Sequence, residues 1–272
     1  MNLQNIFKEI EQTDPEIYER LHSRRKVMHR FTNLSGKLAL TALPFALGSM
    51  FNKAYGQTPT AIVDILNFML RLEYLESSFY TKALKKTLIN ATDIPAFTLI
   101  NQHETAHVNF LTNTITSLGG VADASPVFDF TANNTYPNVF TNYQVFLQLS
   151  QAFEDTCVRA YKGQLTGLIT NNDVLTNILQ IHSAEARHAA HVRLIRKTSG
   201  PNPETSEKPW ITSNKANGVN TMQASYAGED NVVQLGISML TIPGLNEITA
   251  TEAFDEPLTM GDVNAIIQPF IK

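Results

Sequence analysis

Between residues 58 and 198 the apolar side chains recur at alternating steps of three and four, the spacing that lays a continuous stripe along an α-helix. Four stripes are present: Ile62, Leu66, Met69 and Tyr80; Phe97, Ile100 and Leu111; Leu147, Ser150 and Tyr161; and Val174, Ile178, Ile181, Val192 and Ile195. Local signals bound each one. The first opens at Thr58-Pro59 and runs to about Leu88; the second opens at Thr92-Asp93, with Pro95 in its first turn, and ends at Gly119-Gly120. The third begins near Thr141, where Thr141-x-x-Gln144 reads as a capping box. The fourth follows Asn171-Asn172 and closes with Arg193, Arg196 and Lys197 on the negative end of its dipole.

Helices one and two, and helices three and four, are joined by short connections and so pair antiparallel. Between the two hairpins, residues 119–140 hold Pro126, Pro137 and Asn133-Asn134, which prevent regular structure and make a long crossover. The expected fold is all-α: a four-helix bundle of two antiparallel hairpins over residues 57–198. After Gly200-Pro201 the pattern lapses into a loop-rich extension, residues 199–272, that ends in a short helix from Thr259 to about Phe270. It is too poor in regular apolar pattern to be a separate domain, and packs on the bundle.

Each stripe is interrupted in its middle by a carboxylate. Glu73 and Glu104 are 31 residues apart, Glu154 and Glu185 are also 31 apart, and His107 and His188 each follow a glutamate by three. The second set is the first moved along the chain by 81 residues. Ionised carboxylates in an apolar stripe need a cation, a hydrogen-bond network or a proton. Two residues of an antiparallel hairpin lie level when equally far from its turn, and the midpoints of the two glutamate pairs, 88–89 and 169–170, fall at the expected turns. Four carboxylates and two imidazoles therefore meet at one height. They suit a binuclear centre, with Glu73 and His107 on one ion, Glu154 and His188 on the other, and Glu104 and Glu185 as bridges. Oxygen and imidazole donors without thiolate favour two Fe or Mn ions, and zinc also fits. Tyr80 and Tyr161 each follow a glutamate by seven residues, two turns along the same face, and are candidates to hydrogen-bond the ligand carboxylates from behind.

The repeat is imperfect at one place. Glu76, one turn past Glu73, offers a seventh candidate ligand, whereas its counterpart is Cys157, read as a small buried apolar side chain. His103 points about 100° from Glu104 on a helix and is read as a bundle-edge residue; His191 is a candidate neighbour of the ligands. Arg159 and Arg187 are read as solvated or paired with acidic neighbours.

Composition narrows the setting. The chain has 272 residues, 43% of them hydrophobic, enough for one good core, and a formal net charge of −4 without a basic run beyond the N-terminal region. Nucleic acid is therefore not an expected partner. Residues 1–56 read as an N-terminal region with a twin-arginine signal peptide: Ser23-Arg24-Arg25-Lys26-Val27-Met28, an apolar stretch from Leu38 to Met50, and the small-x-small site Ala54-Tyr55-Gly56. That stretch is shorter than the roughly 20 residues needed to span a bilayer, so no stable membrane anchor is expected. The expected location is exported, periplasmic or secreted, with the mature chain starting near Gln57. One cysteine leaves an exported chain no internal disulfide, so packing and metal must stabilise it.

These residues resemble the ferritin-like superfamily, which includes bacterioferritin, rubrerythrin and manganese catalase. There, helices one and three give Glu, and helices two and four give Glu-x-x-His. Within it, Leu72-Glu73-Tyr74-Leu75-Glu76, His103-Glu104-x-x-His107, Gln151-Ala152-Phe153-Glu154-Asp155 and Glu185-x-x-His188 are similar to the exported group that includes plant desiccation-related proteins. The likeness covers about residues 58–198, and extends to the ending Phe254-Asp255-Glu256-Pro257-Leu258-Thr259-Met260. It implies the fold and the binuclear metal site but not the reaction; the first functional expectation is a redox centre that reacts with hydrogen peroxide or dioxygen, as a peroxidase, catalase or ferroxidase. The alternative is a non-enzymatic metal-binding or stress-protection role. The extension argues against a storage cage and leaves a homodimer open.

Overall fold

The computed structural model describes residues 59–199, 206–216 and 220–272; the signal segment read at residues 1–56 lies outside them. The described residues are mostly helical, with few strands. Four long helices carry the four stripes: α1 (Pro59–Leu84), α2 (Ile94–Ser117), α3 (Tyr143–Gln164) and α4 (Asn172–Thr198). Helix α1 packs along α2 and α3 along α4, while α1 meets α3 and α2 meets α4 across the hairpins. No helix of the described residues is long and apolar enough to cross a membrane.

Two helix ends differ from the sequence expectation. Helix α1 stops at Leu84, where the chain tightens into a turn and the Lys86 amide donates to the Ala83 carbonyl at 2.9 Å. The cap of α3 is Asn142: its carboxamide oxygen accepts from the Gln144 and Val145 amides, and Thr141 instead donates to the Asn138 carbonyl. Asparagine wins because its short acceptor reaches both orphan amides of the first turn. Asn171 caps α4 in the same manner, through the Val174 amide.

The crossover turns at Ala132, Asn133 and Asn134, all with positive φ. It is pinned by the chain's C-terminal end: Phe128 bridges Ile271, and the Asp129 amide donates to the Phe270 carbonyl at 2.8 Å. Phe130 and Phe140 of the crossover pack on Phe79, which also stacks with Phe146 and meets Phe153 edge-on. Thus the crossover closes one end of the core with aromatic rings.

Helix α3 is buried almost all round, and this shapes the extension. Its core face packs in the bundle. Its back face carries Gln151, Asp155, Thr156 and Arg159, all buried. Such groups require partners. Asp155 pairs with Arg193 of α4 and accepts from the Tyr226 hydroxyl at 2.8 Å. Arg193 also pairs with Glu207. Arg159 pairs with Glu229 at 2.7 Å and donates to the carbonyls of Ser225, Ala227 and Glu256. Its acidic partner is therefore distant in sequence.

Past these contacts lie a two-residue hairpin, β1 (Val233–Gln234) and β2 (Ile237–Ser238), a short α5 (Glu247–Thr251), and α6 (Met260–Ile267) capped by Thr259. The segment before α6 lies directly on α3: the Leu258 amide donates to the Arg159 carbonyl, and a Cβ at Gly163 would stand 2.1 Å from the Leu258 carbonyl oxygen. Gly163→Ala is therefore expected to cost about 1–3 kcal/mol, by forcing the two backbones apart. The check is the urea midpoint at constant slope; an unchanged midpoint would contradict this seating.

Candidate metal centre

Every candidate carboxylate sits in mid-helix, where no backbone amide is free to satisfy it. Glu73 comes from α1, Glu104 from α2, Glu154 from α3 and Glu185 from α4, and all four are fully buried. His107 and His188 lie one turn beyond their glutamates, with His188 buried and His107 partly so. The six side chains converge. His107 Nδ1 lies 3.1 Å from Glu73 Oε2, 3.3 Å from Glu104 Oε2 and 3.0 Å from Glu185 Oε1. His188 Nδ1 lies 2.8 Å from Glu104 Oε1, 3.5 Å from Glu154 Oε2 and 3.6 Å from Glu185 Oε2. Glu104 and Glu185 thus turn one oxygen to each histidine, while Glu73 faces only His107 and Glu154 only His188.

Two groups of donors result, each gathered within 4.8 Å: Glu73, Glu104, His107 and Glu185 in one, and Glu104, Glu154, Glu185 and His188 in the other. Among the described residues, Glu104 Oε1, Glu154 Oε2, both Glu185 oxygens and His188 Nδ1 lack hydrogen-bond partners, although several lie within ion-pair distance. Close approach without hydrogen-bond alignment means that these atoms aim at shared space more than at one another. Unaligned buried acceptors are costly, and a cation would satisfy them together. The buried Glu/His cluster can hold metal ions.

Electrostatics describe the protein without such ions. Burial pushes Glu104 up, reinforced by Glu185, and burial likewise raises Glu76 well above the usual carboxylate range. Burial raises Glu154 to about 7 despite the opposing His188. Glu185 goes the other way: burial would raise it, but the imidazoles of His107 and His188 at ion-pair distance hold it at about 2. Burial alone would lower His107, yet Glu104, Glu185 and Glu73 outweigh it and hold the imidazolium up at about 12; His188 is raised for like reasons. Protons on two histidines thus take the role that cations would otherwise have.

The surrounding groups brace the cluster. The Tyr80 hydroxyl of α1 donates to Glu154 Oε1 of α3 at 2.5 Å, and the Tyr161 hydroxyl of α3 donates to Glu73 Oε1 of α1. Each tyrosine therefore serves the glutamate of the opposite helix and steers that carboxylate. Glu76 and Cys157 are both buried beside Glu185. His191 is exposed and lines a surface cleft with Arg187 and Leu194.

One contact escaped sequence reasoning. His103 Nδ1 lies 2.9 Å from His188 Nε2, and the rings stack with centroids 5.2 Å apart. The signal was its spacing of four from His107, which puts both on one face of α2, although its angle to Glu104 suggested otherwise.

A protein-family model described as a ferritin-like domain matches residues 61–198, just over half of the chain. No curated protein matches it.

Proposed function

This chain belongs to the ferritin-like domain family, and from that premise we propose a binuclear metal-carboxylate protein, holding two Fe or Mn ions and redox-active towards peroxide or dioxygen. The observation that carries the proposal is the sharing of Glu104 and Glu185 between the two donor groups. Redox ions bound this way supply one-electron steps that a small oxidant can accept. The protein's own groups do the rest. Glu104 and Glu185 offer both oxygens and so can span two positions, while Tyr80 and Tyr161 steer the terminal carboxylates Glu154 and Glu73 by hydrogen bonds. His103 holds the Nε2 of His188, leaving Nδ1 to face the cluster. The four glutamates are buried from bulk water, whereas the His107 side chain is 12% exposed and forms the open edge of the cluster.

The test is direct: metal-loaded protein is expected to consume hydrogen peroxide or to oxidise Fe(II), and loss of both activities in Glu185→Ala locates them. Failure of the loaded wild-type protein in both assays overturns the redox reading and leaves metal binding or stress protection. The motifs also favour membership of the exported, desiccation-related group. The Ser23–Met28 pattern supports twin-arginine export, and the mature protein recovered from a periplasm or medium should start near Gln57.

Metal affinity should fall steeply on acidification. His107 holds its proton up to about 12 and His188 is also raised, so near neutrality both protons must leave when ions bind. With one histidine per ion, each ion displaces at least one proton and its apparent affinity drops at least about tenfold for each pH unit lowered, more steeply where the raised carboxyls of Glu104 and Glu154 must also lose a proton. Competition titrations with Mn(II) at several pH values check this; a flat profile would contradict the assignment of both histidines.

A further inference from the structure

The repeat places Glu76 and Cys157 at equivalent positions, and the fold brings these unlike residues together across α1 and α3. Neither belongs to the two donor groups built on His107 and His188. Glu76 is 1% exposed, and among the described residues neither of its oxygens has a hydrogen-bond partner. A carboxylate oxygen of Glu76, the Cys157 sulfur and a carboxylate oxygen of Glu185 lie within 4.8 Å of one another. A thiol is a weak donor, so Cys157 cannot compensate a buried carboxylate by hydrogen bonding. A cation bound to both can. We propose that Glu76, Cys157 and Glu185 form a third cation position, distinct from the two proposed above, that takes a thiophilic divalent ion of the zinc or cobalt class.

The donor set decides the class. Thiolate sulfur with carboxylate oxygens suits Zn(II) or Co(II), whereas all-oxygen ions such as Mg(II) gain nothing from sulfur. Three protein donors leave a tetrahedral ion one open place. On binding, the sulfur exchanges its proton for the ion, and that proton leaves to solvent. The position rests on the binuclear reading only in sharing Glu185.

Cobalt reports it without reference to activity. The full chain, stripped by a chelator and titrated anaerobically with Co(II), is expected to develop a thiolate-to-cobalt charge-transfer band in the near ultraviolet. It should bind about one ion more than Cys157→Ser. Glu76→Gln should weaken the band's titration at least tenfold, and added Zn(II) should bleach it. Since Cys157 is the only cysteine, the band in the wild-type protein identifies its ligand even if a variant fails to fold. Absence of the band at saturating Co(II) overturns the proposal. So does a band with only two ions bound in all, which would place the sulfur in the binuclear pair. A band without the two further ions overturns the binuclear reading alone.

Discussion

Glu185→Ala is expected to abolish metal retention at both positions of the binuclear pair, whereas Glu154→Ala keeps the ion that faces His107, because Glu185 alone of these two faces both histidines. The same loss is expected of Glu104→Ala, since Glu104 turns one oxygen to each imidazole. Removing a shared carboxylate takes one ligand from each ion and withdraws the negative charge that lets two cations sit close together. Weakening of a site by lost supporting hydrogen bonds is typically about 10–100-fold, and loss of a bridging ligand should exceed it. Elemental analysis of purified protein, with Glu185→Gln as the control that preserves side-chain volume, makes the comparison. Full metal in both Glu104→Ala and Glu185→Ala would defeat the site.

Arg159→Met should destabilise the fold by about 3–5 kcal/mol, the penalty for leaving a buried carboxylate without its counter-charge. The guanidinium neutralises Glu229 and satisfies the carbonyls of Ser225, Ala227 and Glu256, all in the extension. Burial holds Glu229 at about 7 even with Arg159 opposing that rise, so without the arginine the carboxyl would take up a proton near neutrality. Urea unfolding measures the loss, and pairing Arg159→Met with Glu229→Leu is expected to recover part of it, because the buried carboxyl that lost its partner is then gone. A single variant within about 1 kcal/mol of wild type would mean that the extension does not depend on this anchor.

How much was legible follows from the range of each interaction. Helical period and turn spacing are local, so the stripes, the level heights and the set Glu73, Glu104, His107, Glu154, Glu185 and His188 could be read along the chain. The cap at Asn142 was one residue beyond the expected Thr141, a choice decided by which side chain reaches the first amides. On the back of α3 the sequence marks Arg159 as solvated or paired with an acidic neighbour and shows no partner for Asp155. They are buried because Glu207, residues 225–229 and residues 256–258 cover them. No periodicity announces a loop-built cover.

The sequence by itself determined the helices, the repeat and the chemical kind of the cluster, since these depend on residue type and on spacing within a turn or a hairpin. Only the tertiary structure decided which oxygen faces which imidazole, that Tyr80 reaches Glu154 and Tyr161 reaches Glu73, that His103 backs His188, and that Glu76 meets Cys157. Those pairings join helices that are distant along the chain. They are set by how packed helices rotate about their axes to bury their stripes, a property of the whole core that no single segment contains.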